Sequence, residues 1–278
     1  MNNRIPISEY RKKARVSLEN QWGINTWLVF LSIIFTSVIQ NFFDGFSPFP
    51  EESMQQHLLS FLVDNLLLFA FNYALFYIAL VVVRGGRPKS NLLFSVFQRK
   101  YFGSILGINL INSVINWLLN SLIFLPMFLI SGVSTYMQLL FSSNAVPTGV
   151  MPEDFLDISF VLSMIGMIFV SALIMSIVGG LFQFAAWTKF DYPDLSVIQC
   201  LKYGWFLLKD RIGTYILLQL SFIGWYLLGA IALFIGLLWV IVYVNVSVAE
   251  FYEQARIEKG GPDAYFTCLL YTSDAADD

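Results

Sequence analysis

Six stretches of this chain, at about 24–43, 58–83, 102–130, 159–186, 213–233 and 235–252, run almost without charge. Each is long enough to cross a hydrocarbon layer of roughly 30 Å, which takes about 20 helical residues. Inside such a layer every backbone N–H and C=O needs a partner from the same segment, so the stretches must be helices. The sequence therefore predicts an all-α, polytopic membrane protein with six transmembrane helices. Composition agrees. Of 278 residues, 57% are hydrophobic and 13% charged, against about 45–50% and about 25% in soluble domains. A soluble enzyme is excluded.

The fifth and sixth stretches adjoin and together are twice the length of one crossing, so the chain must double back between them. Phe234-Ile235-Gly236 is the expected turn, with Gly224 or Gly229 as the competing break. At the carboxyl end, Cys268-Leu-Leu-Tyr-Thr-Ser-Asp-Ala-Ala-Asp-Asp resembles a translated sequencing adapter, and 268–278 is expected not to be native protein. The organisation read here is one integral-membrane domain over 1–267. Without the tail the acidic count falls from 19 to 16, equal to the basic count. Cys200 is then the single cysteine, and neither a disulfide nor a redox motif can form.

Lys and Arg flanking spans are retained on the cytoplasmic side. All sixteen fall in alternate segments: Arg4, Arg11, Lys12, Lys13 and Arg15; then Arg84, Arg87, Lys89, Arg99 and Lys100; then Lys189, Lys202, Lys209 and Arg211; and finally Arg256 and Lys259. The intervening loops 44–57 and 131–158 contain only acids. Both termini are therefore predicted to be cytoplasmic. The first span is expected to stay in the membrane, because a polar stretch precedes an apolar run too long for a cleavable signal core.

A basic segment precedes each odd-numbered span: Ser8 to Trp22, Ser90 to Phe102, and Asp194 to Ile212. Ser8, Ser90 or Asn91, and Asp194 are candidate N-caps. In the third segment Leu195, Ile198, Leu201, Trp205 and Leu208 form one apolar face. Such helices lie in the headgroup layer. The pattern predicts three hairpins, about 1–83, 84–186 and 187–252, each preceded by an interfacial amphipathic helix. The inner-interface basic residues Arg11, Lys12, Lys13, Arg15, Arg99, Lys100, Lys209 and Arg211 are expected to meet anionic inner-leaflet lipids, at about 1 kcal/mol each.

Two intramembrane polar features are candidates for function. Asp64 is the acid inside a span, roughly 9 Å deep at 1.5 Å per residue. Asn109, Asn112, Asn116 and Asn120 are spaced three, four and four, which puts four amides on one helical face. Amides in hydrocarbon must face protein or water. The stripe is read either as interhelical adhesion, with Asn65, Asn72, Gln183, Gln219 and Asn245 as partners, or as a polar substrate path. Gly103-x-x-x-Gly107 permits close helix approach at the inner end of the same span.

Catalytic constellations are missing. His57 is the single histidine, set beside Glu51 and Glu52 in an outer loop, too few ligands for zinc. The chain has neither a phosphate-binding Gly-x-x-x-x-Gly-Lys-Ser/Thr loop nor a Gly-x-Ser-x-Gly elbow. No cofactor, metal or nucleic-acid partner is expected.

Residues of the carboxyl third run from Tyr192-Pro193-Asp194-Leu195-Ser196 through Leu220-Ser221-Phe222-Ile223-Gly224-Trp225-Tyr226-Leu227-Leu228-Gly229 to Gly236-Leu237-Leu238-Trp239, Tyr243 and Ala249-Glu250-Phe251-Tyr252. This pattern resembles the bacterial integral-membrane family known as domain of unknown function 975. The amino-terminal Arg11, Ala14, Arg15, Leu18, Asn20 and Trp22 resemble that family's opening helix. Val242 stands where the family pattern has proline, which would straighten the sixth helix. The resemblance implies a multi-span fold in a bacterial cytoplasmic membrane and carries no catalytic residues. The expected function is non-enzymatic: structural, lipid-interacting or accessory. The alternative is a small permease or exporter component with a polar path along the third span. Another membrane protein or a second copy of the chain is a candidate partner beside the lipids.

Overall fold

The computed structural model describes residues 5–50, 53–123, 158–232 and 235–266, and these form helices joined by turns, without a strand among them. The helices are α1 (Ile7–Ser17), α2 (Trp22–Phe46), α3 (Met54–Val63), α4 (Phe69–Val83), α5 (Phe102–Ile123), α6 (Ile158–Asp191), α7 (Val197–Leu208), α8 (Ile212–Leu220), α9 (Ile223–Ile231) and α10 (Ile235–Lys259). Six helical stretches are long and apolar enough to cross a membrane: Trp22–Phe46, Met54–Val83, Phe102–Ile123, Ile165–Asp191, Val197–Ile231 and Ile235–Lys259. The second and sixth are the most enclosed, with 56% of their most apolar window buried against 11–28% in the other four. The expected end of the third span at 124–130, most of the 131–158 loop and the 268–278 tail lie outside the described residues.

Several boundaries differ from the sequence expectation for local reasons. A π-helical turn, Asp64–Leu68, joins α3 to α4 within the second span. That span stops in a Schellman arrangement: Gly86 N–H bonds the Val81 carbonyl at 2.9 Å, and Gly85 N–H bonds that of Val82 at 3.0 Å. Gly85 takes φ +76° there, in the left-handed region. Val242 lies inside α10, which runs unbroken to Lys259 and stops where Gly260 takes φ +82°. The fifth span is divided. Helix α8 ends at Leu220, two turn residues follow, and α9 covers Ile223–Ile231, so the break falls at Ser221–Phe222, before Gly224. His57 lies within α3, not in a loop.

None of the three expected N-caps holds. Pro6 precedes α1 without a side-chain cap, and Lys89 precedes the second segment. The cap of α7 is Ser196, in a reciprocal capping box with Gln199. Ser196 can bond a backbone N–H three residues on while Gln199 reaches back (Ser196 N–H to Gln199 Oε1, 2.8 Å), which Asp194 cannot match from two residues upstream. The second segment is also a 3-10 helix over Ser90–Phe97, not an α-helix. It packs by aromatic contact, Phe94 lying against Phe35 at 5.6 Å and against Phe71 at 5.9 Å.

By internal contact the chain resolves into two units. The first comprises Met1–Phe35, Ala70–Ile108 and Gly180–Asp278. Its centre is aromatic: Phe184, Trp187, Tyr215, Phe251 and Tyr252 are all 1% exposed or less. The Trp187 and Tyr252 rings lie 5.2 Å apart, and Trp187 Nε1 donates to the Phe76 carbonyl at 2.8 Å. Gly204 brings α7 against α6, since a Cβ there would sit 3.1 Å from the Ala185 nitrogen. Accordingly Cys200, Tyr203, Gly204, Leu207 and Leu208 form the protein-facing side of α7. Ile198 and Trp205, from the apolar face read in the sequence, are exposed. The second unit comprises Thr36–Phe69 and Asn109–Gly179. In it Asp44 accepts from Gln56 Nε2 at 2.7 Å and from Ser60 Oγ at 3.2 Å, tying the end of α2 to α3.

Candidate functional site

The asparagine stripe sits on α5. Asn109 is buried, and its Nδ2 donates to the Asn65 backbone carbonyl at 3.0 Å and to Asn65 Oδ1 at 3.4 Å. Ser113 Oγ, one turn on, donates to the same Oδ1. Asn65 is therefore the partner the helix requires, and it is presented by the π-helical turn Asp64–Leu68. Asn116 Nδ2 donates to Asn112 Oδ1 at 3.1 Å, so the middle of the stripe satisfies itself along its own helix. Asn112, Asn116 and Asn120 are half-buried. Asp64 is exposed on the π turn, beside Asn65 in sequence yet outside this hydrogen-bonded set. Of the other expected partners, Gln219 Nε2 donates to the Tyr215 hydroxyl at 2.8 Å. Asn245 shares a small cleft with Asn25, Val29, Leu75, Ile78 and Val242.

A second constellation lies in the first unit, where α4, α6 and α10 end. Arg84 donates bidentately to Asp191 at 2.7 and 2.8 Å and also reaches Glu253 at 2.9 Å. Arg256 pairs with Glu253 and approaches Asp191 at 3.9 Å, while the Tyr252 hydroxyl donates to Asp191 at 3.1 Å. Asp191 is the least exposed of the four charges, its side chain at 8%; Arg84 is the most, at 38%. Burial disfavours the charge on Arg84, but its hydrogen bonds to Asp191 and Glu253 outweigh that and raise its pKa above the ordinary value. Two positive and two negative groups converge here, so the assembly is neutral. It fastens three spans through charge-assisted hydrogen bonds, the stronger kind.

The other basic residues beside the spans divide into two sets. Lys13 Nζ donates to Gln254 Oε1 at 3.2 Å, and Arg211 pairs with Glu258. Lys259 pairs with Asp210 at 2.7 Å and lies 4.6 Å from the centre of the Phe206 ring. Lys189 is buried, and its amine donates to the carbonyls of Pro193 and Leu195 at 2.5 and 2.6 Å, closing the link from α6 to α7. By contrast Arg11, Lys12, Arg15, Arg99, Lys100 and Lys209 form no ion pair among the described residues. Lys100 lies 5.4 Å from the Tyr101 ring centre and Lys209 lies 5.6 Å from that of Phe206.

Sequence reasoning missed the acids. Asp191, Glu250, Glu253 and Glu258 were passed over because the orientation argument weighs only Lys and Arg. A signal was available: Glu250, Glu253 and Glu258 lie at the end of the sixth apolar run and just beyond it, three to five residues apart, in a chain poor in charge.

No curated protein and no solved structure matches the chain. A family match, however, covers residues 1–259, the whole helical assembly from before α1 to the end of α10. The resemblance read from Tyr192–Tyr252 and from the opening helix thus extends over nearly the full length, and the chain belongs to the family described as protein of unknown function (DUF975).

Proposed function

We propose that this chain is a non-enzymatic integral protein of a bacterial cytoplasmic membrane, with a structural, lipid-interacting or accessory role. The six apolar helices cross in three hairpins, each led by a segment lying at the inner surface, and both termini are cytoplasmic. One observation carries the reading. The most polar intramembrane feature, the α5 stripe, has two of its amides engaged by protein: Asn109 donates to Asn65, where the Ser113 hydroxyl joins it, and Asn116 donates to Asn112 along the same helix. A path for a polar solute needs amides free to exchange partners with it, whereas adhesion needs them engaged, at about 0.6 kcal/mol per interhelical bond. The basic segregation that sets the orientation supports the same reading.

The alternative, a small permease component, draws on the half-burial of Asn112, Asn116 and Asn120. Reaction of Asn112→Cys and Asn116→Cys with a small hydrophilic methanethiosulfonate separates the two readings. Adhesion predicts that neither cysteine reacts in the reconstituted protein until it is unfolded. Rapid modification of both from the aqueous phase would replace this reading with the permease.

A further inference from the structure

Helix α1 is amphipathic in three sectors. Tyr10, Ala14 and Leu18, spaced four apart, form the sector facing the protein, each 2% exposed or less, and the Tyr10 ring lies 5.2 Å from that of Phe251. One flank is fastened to α10: Lys13 Nζ reaches Gln254, and Ser17 Oγ donates to Glu250 Oε1 at 2.7 Å. The opposite flank carries Arg11 and Arg15, one turn apart and so about 5–6 Å between Cβ atoms. Neither side chain forms a hydrogen bond or ion pair among the described residues, and Arg15 is exposed.

The position of this flank follows from α10. The Tyr243 hydroxyl donates to the Arg11 backbone carbonyl at 3.3 Å. Tyr243 precedes Gln254 by eleven residues, about 16 Å along a helix, and so lies on the membrane side of it. The Lys13 flank is therefore turned to the inner aqueous end, and the Arg11 flank toward hydrocarbon. Trp22 lies 6.0 Å and Trp225 5.7 Å from the Tyr243 ring, and Trp225 is 43% exposed. Trp22 opens the first span, and a tryptophan beside arginines at a span end marks headgroup depth. Two unpaired guanidinium groups there are costly unless an anion meets them, and their planar forks match phosphate oxygens.

We infer that Arg11 and Arg15 clamp the phosphate of an anionic phospholipid of the inner leaflet, with Tyr243 holding the Arg11 backbone in place and Trp22 walling the site. The inference rests on the reading above, which lays α1 on the inner membrane surface, and deepens it by naming the lipid class and the residues that receive it.

The test uses the full chain in phosphatidylcholine nanodiscs titrated with phosphatidylglycerol, the bound lipid being counted by native mass spectrometry. Removing two charge-assisted contacts in Arg11→Gln/Arg15→Gln should weaken phosphatidylglycerol retention by about tenfold or more. Lys202→Gln, exposed on α7 and outside the flank, should change it less than about twofold, a shift well under one charge-assisted contact. Thermal unfolding in pure phosphatidylcholine reads the folding of each variant, and the double variant should melt with the wild type there. Equal losses in the double variant and Lys202→Gln would overturn the clamp while leaving a lipid-interacting protein. A wild type without preference for phosphatidylglycerol would overturn both. Displacement of the lipid by millimolar inorganic phosphate would overturn the headgroup assignment in favour of a free-phosphate site.

Discussion

Among single residues, Asp191 has the most partners at stake. It accepts both nitrogens of Arg84 and the Tyr252 hydroxyl, and it lies within 4 Å of Arg256. Changing Asp191 to Asn keeps the shape and removes the charge, leaving Arg84 with Glu253 alone. Bonds to charged groups are worth about 1.5–3 kcal/mol, and the partial exposure of Arg84 lowers that through solvent screening. A loss of roughly 2 kcal/mol is the expected result, which a melting experiment in mild detergent would read as a drop of about 4–8 °C. Unchanged melting would mean that Glu253 suffices for both arginines. The pairing was out of reach of sequence reasoning because Arg84 is 107 residues from Asp191 and 169 from Glu253. Asn65 and Asn109 were legible as partners, since an amide inside a span has few polar groups available to it.

Helices and their joints were legible wherever one local rule governs. Length and apolarity located the six spans, and the last stretch, twice the length of one crossing, is divided into helices that end at Ile231 and begin at Ile235. What failed was detail set by packing. The segment before α5 folds as a 3-10 helix, with Leu93, Ser95 and Val96 buried. The division of the fifth span at Ser221–Phe222 has Phe222 fully buried and edge-on to Tyr243 at 5.2 Å, a tertiary contact invisible to periodicity. The reversal itself depends on two glycines. A Cβ on Gly236 would lie 2.9 Å from the Gly229 Cα, and one on Gly229 would lie 3.1 Å from the Gly236 carbonyl carbon. Both obstacles are backbone, so the helices must separate. Gly236→Ala should cost about 1–3 kcal/mol, typical of overpacking, and Gly229→Ala a similar amount. The double variant should lose less than the sum of the two, because the first alanine has already parted α9 from α10. Additive losses on thermal denaturation would show that the contact is not shared.

At the scale of the whole molecule, charge ties helices of the first unit to one another, and the segregation of Lys and Arg is expected to orient the chain. Lys13, Arg84, Arg211, Arg256 and Lys259 are tied to side chains of the same chain. Such internal ties need no membrane, so they cannot by themselves decide which way the protein is inserted. The orientation rule draws on a different property, the cost of moving any cation across the bilayer, and that cost applies to tied and untied residues alike during insertion. It therefore yields an expectation independent of every contact described above. On a background with Cys200 and Cys268 replaced by serine, cysteines substituted for the exposed Lys89 and Lys202 should resist a membrane-impermeant maleimide in intact cells and react once the cells are opened. A cysteine in place of the exposed Gln55, at the start of α3, should react from outside without lysis. External labelling at either lysine position would reverse the topology and place the Arg84–Asp191 assembly and the Arg11–Arg15 flank at the outer leaflet, where a leaflet poorer in anionic lipid would remove the reason for a phosphate clamp.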